Sequence, residues 1–422
     1  MGKKKDMLLN NDKIVIGYDL SNEYAQISYG PKGQEVPETL SLAEGQEQYN
    51  IPVCLFKLLQ VNQWFFGKEA LNYAKVEEGV LVTSLLQKAL VGEEVAIGEE
   101  NFDPVALLAL FVKRSISLLG KVLKREKPSV IMFTVPNLNE NVIEVLGKMV
   151  QLLDFPECEI YFQGREESIF YYMIHQPKEL WKRDVMIYDF SETSLKSYHF
   201  TKNRNTTPIV AFVEEKEETL KRDMVQDKDE SFLQILMETL PGKDIGCAYL
   251  IGEGFDEEWY RESLRELCAG RRVFKGNNLY SKGACYAAMV KQESAETKDI
   301  IFLGKDKLKA NVGMQVKRCG QDSYLALLNG GENWYESRKD CDIILTEGNS
   351  FEIMITPLDG RNRKQIEIVL DGLPVRENKM TRIHLSVSMI REDTLRILAS
   401  DMGFGEFAKA SSLTFEQKID LI

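Results

Sequence analysis

Two aspartates are the residues best placed to do chemistry. Asp19 ends an apolar run that begins at Ile14, and the polar turn Ser21-Asn22-Glu23 follows it. Asp189 ends a second apolar run that begins at Val185, and Ser191-Glu192-Thr193 follows it. A carboxylate at a strand end beside a turn can serve metal or phosphate chemistry, or it can simply cap the strand. The two passages also echo one another, Tyr18-Asp19-Leu20-Ser21 against Tyr188-Asp189-Phe190-Ser191. An internal echo in matching contexts suggests a duplicated β-hairpin, one per half. Other chemistries lack their residues. His175, His199 and His384 are the only histidines, and the seven cysteines are widely spaced with no Cys-x-x-Cys. No zinc-ligand cluster can be assembled from them. No Gly-x-Ser-x-Gly elbow, Walker loop or paired-His metal motif occurs.

The elements that must position these aspartates follow from patterning. A chain of 422 residues exceeds one compact core and predicts two or three domains. Its net charge of -12 argues against a nucleic-acid partner, which needs concentrated cations. The densest basic stretch, Lys121 to Lys127, reads as the end of a helix. No apolar run reaches the length of a membrane span, and the polar N-terminus has no signal-peptide core. An odd number of scattered cysteines fits reduced thiols and a cytoplasmic setting.

Ile14–Asp19 and Tyr24–Tyr29 read as a hairpin. Asp103-Pro104 opens a helix as N-cap and first residue, with Leu108, Phe111, Val112 and Leu119 at helical spacing. A strand over Val130–Val135, a helix over Asn139–Leu153, a strand over Ile160–Phe162 and a helix over Glu166–His175 come next. The charged run from Glu214 to Glu230 reads as a solvated helix face or loop. Ala248–Ile251 is a strand, Asp256–Cys268 a helix, and Tyr280–Lys291 a helix rich in small residues suited to close packing. Gln292–Lys298 is a polar linker. Short β runs between Ile300 and Ala399, separated by turns such as Asp359-Gly360, then predict an all-β sandwich.

This order, alternating α/β and then a β-sandwich, resembles the heat-shock-70-type chaperones of the actin-like ATPase superfamily. Ile16-Gly17-Tyr18-Asp19-Leu20 is similar to their first phosphate strand, and Val185 to Phe190 to their second. Thr134-Val135-Pro136 and Gly164-Arg165-Glu166-Glu167-Ser168 resemble connecting motifs. Leu250-Ile251-Gly252-Glu253-Gly254, with Gly283-Ala284-Cys285-Tyr286-Ala287-Ala288, resembles the adenosine-side segment. Val369-Leu370-Asp371-Gly372-Leu373-Pro374 resembles a substrate-domain signature. The resemblance implies actin-like lobe I over 1–183, a shortened lobe II over 184–291, a substrate-binding-like sandwich over 299–402 and a tail over 403–422.

It further implies a nucleotide cleft formed by Asp19, Ser21, Asn22, Asp189, Ser191, Gly252 and Gly254, with Lys88 and Glu166 as remnants of the catalytic set. The residues depart from the family there. A triphosphate is gripped by backbone N–H groups in tight, glycine-rich turns. The family's Asp-Leu-Gly-Thr-Thr-Asn is Asp19-Leu20-Ser21-Asn22-Glu23-Tyr24 in this chain. Its Asp-Leu-Gly-Gly-Gly-Thr-Phe-Asp is Asp189-Phe190-Ser191-Glu192-Thr193-Ser194-Leu195-Lys196. Two glutamates facing a polyanion would cost about 2–5 kcal/mol. Only Thr193 to Ile251 fills the place of the family's adenine-clamping subdomain, and the apolar linker and helical lid are missing. The expectation is therefore a degenerate pseudo-ATPase with no cofactor, ATP and Mg²⁺ entering only if the site still works. It would bind protein or extended peptide as a chaperone-like module, without nucleic acid or a membrane span. The competing expectations are an ATP-dependent chaperone and an actin-like assembly scaffold.

Overall fold

The computed structural model describes residues 13–31, 35–43, 45–59, 63–121, 127–191, 194–204, 206, 208–220, 225–293, 299–358 and 362–421. The N-terminal segment, Glu192, most of the 121–127 basic stretch, most of the polar linker and the Asp359-Gly360 turn lie outside these residues. The chain is mixed α/β and forms two compact units, Met1–Phe302 and Leu303–Ile422.

The first unit holds two sheets with one plan. In the first, β1 (Lys13–Leu20) pairs antiparallel with β2 (Tyr24–Pro31). On its other side β1 runs parallel to β3 (Lys127–Val135), and β3 runs parallel to β4 (Glu159–Gly164). In the second sheet β5 (Asp184–Ser191) pairs antiparallel with β6 (Ser194–Asn203), and β6 with β7 (Ile209–Thr219). β5 runs parallel to β8 (Ile245–Ile251), and β8 to β9 (Arg272–Lys275). The hairpin β1–β2 thus matches β5–β6, and the parallel pair β3–β4 matches β8–β9. The central strands are buried on both faces, as strands covered by crossover helices must be. That is why Ile14–Leu20 and Val185–Phe190 read as continuous apolar runs.

Helices of this unit among the described residues include α1 (Leu85–Val91), α2 (Pro104–Ser117), α3 (Glu140–Leu153), α4 (Arg165–Ile174), α5 (Val225–Thr239), α6 (Arg261–Leu267) and α7 (Leu279–Glu293). Asp103 and Asn139 cap α2 and α3 by accepting from Val105 N and Val142 N, as their positions predict. Two helices cross between the halves. α4 follows the first sheet, yet Ile169, Phe170 and Met173 are buried with the second. α7 follows the second sheet, yet Ala284, Cys285, Ala287 and Ala288 pack with Val15, Val130 and Met132 of the first. Small residues permit this. A Cβ on Gly17 would fall 2.2 Å from Cys285 N, and one on Gly283 would fall 2.0 Å from Ser168 O. The two halves are therefore interlocked, and cuts at 183 and 291 would divide packed helices from their partners.

Several sequence expectations need correction. The run from Glu214 is not all helix or loop, because Glu214–Thr219 completes β7 and the helix begins at Val225. Cross-strand charge pairs such as Lys196 with Glu215 make such a strand tolerable. The helix expected over Asp256–Cys268 is confined to α6, preceded by a 3₁₀ turn at Glu253–Phe255. The strand at Ile300–Phe302, β10, belongs not to a sandwich but to the first unit, where it pairs parallel with β7.

The second unit has two four-stranded antiparallel sheets. One has the order β12-β11-β14-β15, with β11 Ala310–Arg318, β12 Gln321–Leu328, β14 Ser350–Pro357 and β15 Lys364–Val369. The other has the order β13-β16-β17-β18, with β13 Arg338–Leu345, β16 Thr381–Met389, β17 Thr394–Gly403 and β18 Thr414–Asp420. β16 alternates without a break, burying Ile383, Leu385 and Val387. The expected tail after 402 is in fact structural, since β18 pairs with β17 from Thr394 to Ser400.

Candidate functional site

The duplicated hairpins place both aspartates between the halves of the first unit. Asp19 and Asp189 are buried, and the group between them comes from a third element. Arg165 is the first residue of α4, just past the end of β4. Its Nε donates to Asp19 Oδ1 (3.2 Å) and its Nη2 to Asp19 Oδ2 (3.1 Å). Its Nη1 stands 3.8 Å from Asp189 Oδ2. The guanidinium lies over the Tyr280 ring at 4.4 Å and near the Tyr24 ring at 5.9 Å. Tyr280, from α7, donates its hydroxyl to Asp189 Oδ2 (2.8 Å), and Ser191 Oγ donates to Asp189 Oδ1 (3.2 Å).

A planar fork that satisfies one carboxylate bidentately, faces a second and stacks on an aromatic ring is a role lysine could not fill. The electrostatics match the geometry. The aspartates and tyrosines around it hold Arg165 firmly protonated against the burial that opposes its charge. Burial lifts the Asp19 carboxyl above its usual range against the pull of Arg165. Burial likewise raises the Tyr24 and Tyr280 hydroxyls, with Asp189 adding to the effect. Both phenols stay neutral at any ordinary pH.

The first turn spends its own donors. Ser21 Oγ accepts from Glu23 N (3.3 Å) and Tyr24 N (3.1 Å) and donates to Tyr24 O (2.9 Å). In a phosphate-binding turn those N–H groups would face outward; here a serine hydroxyl folds back on them. Asn22 Oδ1 accepts from Gln87 N (2.8 Å) and so ties the turn to the start of α1. In the second turn Lys196 pairs with Glu215 at 2.6 Å, and Glu192 lies outside the described residues. Gly252 and Gly254 are packing glycines. Cβ atoms there would lie 2.5 Å from Phe190 O and 2.1 Å from the Phe190 ring.

The remaining sequence candidates are not brought together with these. Lys88 pairs with Glu93 at 2.7 Å on the surface of α1. Glu166 sits in the first turn of α4, beside Arg165 in sequence. In the sequence Arg165 falls within a connecting motif and carries no expected role. Its signal was an arginine at a strand-to-helix junction in a chain with two strand-end aspartates.

The surrounding space is divided. A cavity of about 190 Å³ lies beside Gln26, Asn50, Lys68, Gly252 and Asn277. Another of about 260 Å³ lies beside Ser21, Asn22, Ser191 and Lys196. Tyr24, Asp189 and Glu253 line both. Each falls below the roughly 300–1,000 Å³ usual for small-molecule sites. The residues present do not fit a magnesium–nucleotide complex: a cation already stands between the two carboxylates and the first turn's N–H groups face inward. Among the described residues no group of three or more His, Cys, Asp or Glu could hold a metal ion, and no helix is long and apolar enough to cross a membrane.

The sequence matches the Family of unknown function (DUF5716) C-terminal over residues 36–305, nearly two thirds of the chain. The chain belongs to this DUF5716 C-terminal family. A second match, to a domain of unknown function (DUF8552), covers residues 307–421. The DUF5716 segment holds Asp189, Arg165 and Tyr280 but begins after Asp19 and Ser21, which precede residue 36. No curated protein matches the chain. The junction of the two matches falls within a few residues of the boundary between the compact units at Phe302 and Leu303.

Proposed function

We propose that this protein is a nucleotide-independent interaction module built on an actin-like, heat-shock-70-like scaffold whose nucleotide cleft has been closed from within. The observation that carries this reading is Arg165, which sits between Asp19 and Asp189 where a metal-bound phosphate would need to be. Ser21 supports it by consuming the turn's donors. The repeated sheet plan, hairpin plus two parallel strands in each half, supports descent from a duplicated actin-like ATPase. The second unit supports the interaction role. Its outer strands include β15 and β13, whose free edges could pair with an extended peptide.

The test is a thermal melt with and without Mg-ATP. A nucleotide at a hundred times its dissociation constant would stabilise a binding protein by about 2.7 kcal/mol. No shift is expected at millimolar Mg-ATP. A clear upward shift would sink the proposal and favour the ATP-dependent chaperone in its place.

A further inference from the structure

A cavity larger than either of the two in the cleft lies outside it. A groove of about 890 Å³ lies where the end of α4, the 178–182 turn, the end of β6 and β10 meet. It shares no lining residue with the two cleft cavities. Lys178, Lys182, Lys202 and Arg204 line it, against only Glu179 and Asp299. In a chain of net charge -12 that local excess is unusual.

The surroundings of these cations differ from those of several others in the same half. Elsewhere in the same half, Arg183 pairs with Asp244, Lys196 with Glu215, Arg271 with Glu266 and Lys275 with Asp256. Among the described residues, none of the four groove cations has a carboxylate within salt-bridge distance. Two of them are instead held by carbonyls. Lys202 Nζ donates to Trp181 O (2.6 Å) and Arg183 O (3.3 Å), and Arg204 Nη2 donates to Lys182 O. Lys202 also lies against the Trp181 and Phe200 rings, 5.6 and 4.9 Å from their centroids. Cations that outnumber the carboxylates of a groove attract an anionic partner. Between them the lining turns apolar, with Ile174, Ile209, Ile300 and Trp181.

We propose that this groove docks an acidic peptide segment carrying an apolar anchor side chain. The charges sit on two separate segments, the 178–182 turn and the 202–204 strand end, so carboxylates spaced along a chain meet them better than one compact anion does. The proposal rests on reading the chain as an interaction protein but not on the closed cleft. A response to Mg-ATP would overturn the cleft reading alone, and the peptide test below addresses the groove alone.

The experiment is fluorescence anisotropy on the full chain. The probe is a fluorescein-labelled decapeptide alternating glutamate with leucine, and its control alternates lysine with leucine. The glutamate peptide should bind at least about tenfold more tightly than its control, and more weakly as salt rises toward about 0.5 M. Lys178→Glu with Lys182→Glu, both exposed, should weaken it at least about tenfold with an unchanged melting temperature. If that pair fails to fold, Lys178→Gln with Lys182→Gln should still weaken it about threefold. Equal binding of the two peptides, an unaffected double variant, or tighter binding of inorganic phosphate or an oligonucleotide than of the glutamate peptide would each overturn the proposal.

Discussion

Each unit of this protein holds an arginine locked bidentately to a buried aspartate, and the two pairs are built for different ends. In the second unit Arg376 donates to both oxygens of Asp401 (2.7 Å each) and to Lys409 O (2.7 Å). Asp401 also accepts from Gly403 N (2.9 Å) and Ser411 N (2.8 Å). The donors stand 2, 10 and 25 residues from Asp401, and together they hold the Asp401 carboxyl well below the usual carboxylate range. In the first unit Arg165 is 146 residues from its partner Asp19 and faces a second carboxylate from the other half. There burial outweighs the donors and the Asp19 carboxyl is raised. The Asp401 carboxylate is shared among three donor residues. A carboxylate in a closed cleft depends on a single distant cation.

Arg165 is the side chain whose loss should cost most. Arg165→Met leaves Asp19 and Asp189 buried without their counter-charge, and should cost about 3–5 kcal/mol in urea unfolding of the first unit. A loss below about 1 kcal/mol would mean that the cleft does not depend on this cation. Arg376→Ala should cost less, about 1.5–3 kcal/mol, because Gly403 and Ser411 still serve Asp401. That loss should appear in the unfolding of the second unit.

The two carboxylates should also answer acid in opposite senses. Asp401 has a depressed folded pKa, so its contribution is complete above its unfolded value near 3.9 and is lost as pH falls below it. Asp19 has a raised folded pKa, so its contribution is present below its unfolded value and is lost as pH rises through the folded one. Melting curves between about pH 5 and pH 2 should show a loss in the second unit that Asp401→Asn abolishes. An identical acid slope in the variant would remove the assigned cause. The smallest effect is at the turn. Ser21→Gly should cost about 1 kcal/mol through its lost hydrogen bonds, and should confer no response to Mg-ATP while Arg165 remains. A gain of nucleotide binding from this single change would show that the serine, not the arginine, closes the cleft.

What was legible in the sequence follows from how far each signal reaches along the chain. The hairpins, the caps at Asp103 and Asn139 and the small-residue face of α7 are local patterns, and each sits where its residues place it. Ala310–Arg318 escaped notice as a strand because Lys317 and Arg318 end it and Gly313 interrupts it. A Cβ at Gly313 would meet the Tyr324 hydroxyl at 2.3 Å, so the glycine is there for a cross-strand ring. Glu214–Thr219 was misread because its neighbours across the sheet, not its own composition, make it a strand. Arg165 could not have been found by spacing at all. Only the folded arrangement of the two halves brings Asp19, Asp189, Tyr280 and Arg165 to one point.

The short strand β10 has a consequence for how such a chain can be cut and joined. Its Phe302 ring stacks on Phe170 of α4 at 5.3 Å between centroids, and its backbone covers the outer edge of β7. A fragment ending at residue 293 would carry a bare β edge and an uncovered aromatic, both invitations to aggregate. The seam at which recombination could exchange the second unit without injuring the first therefore lies just after Phe302, downstream of the polar stretch that looks like the natural joint.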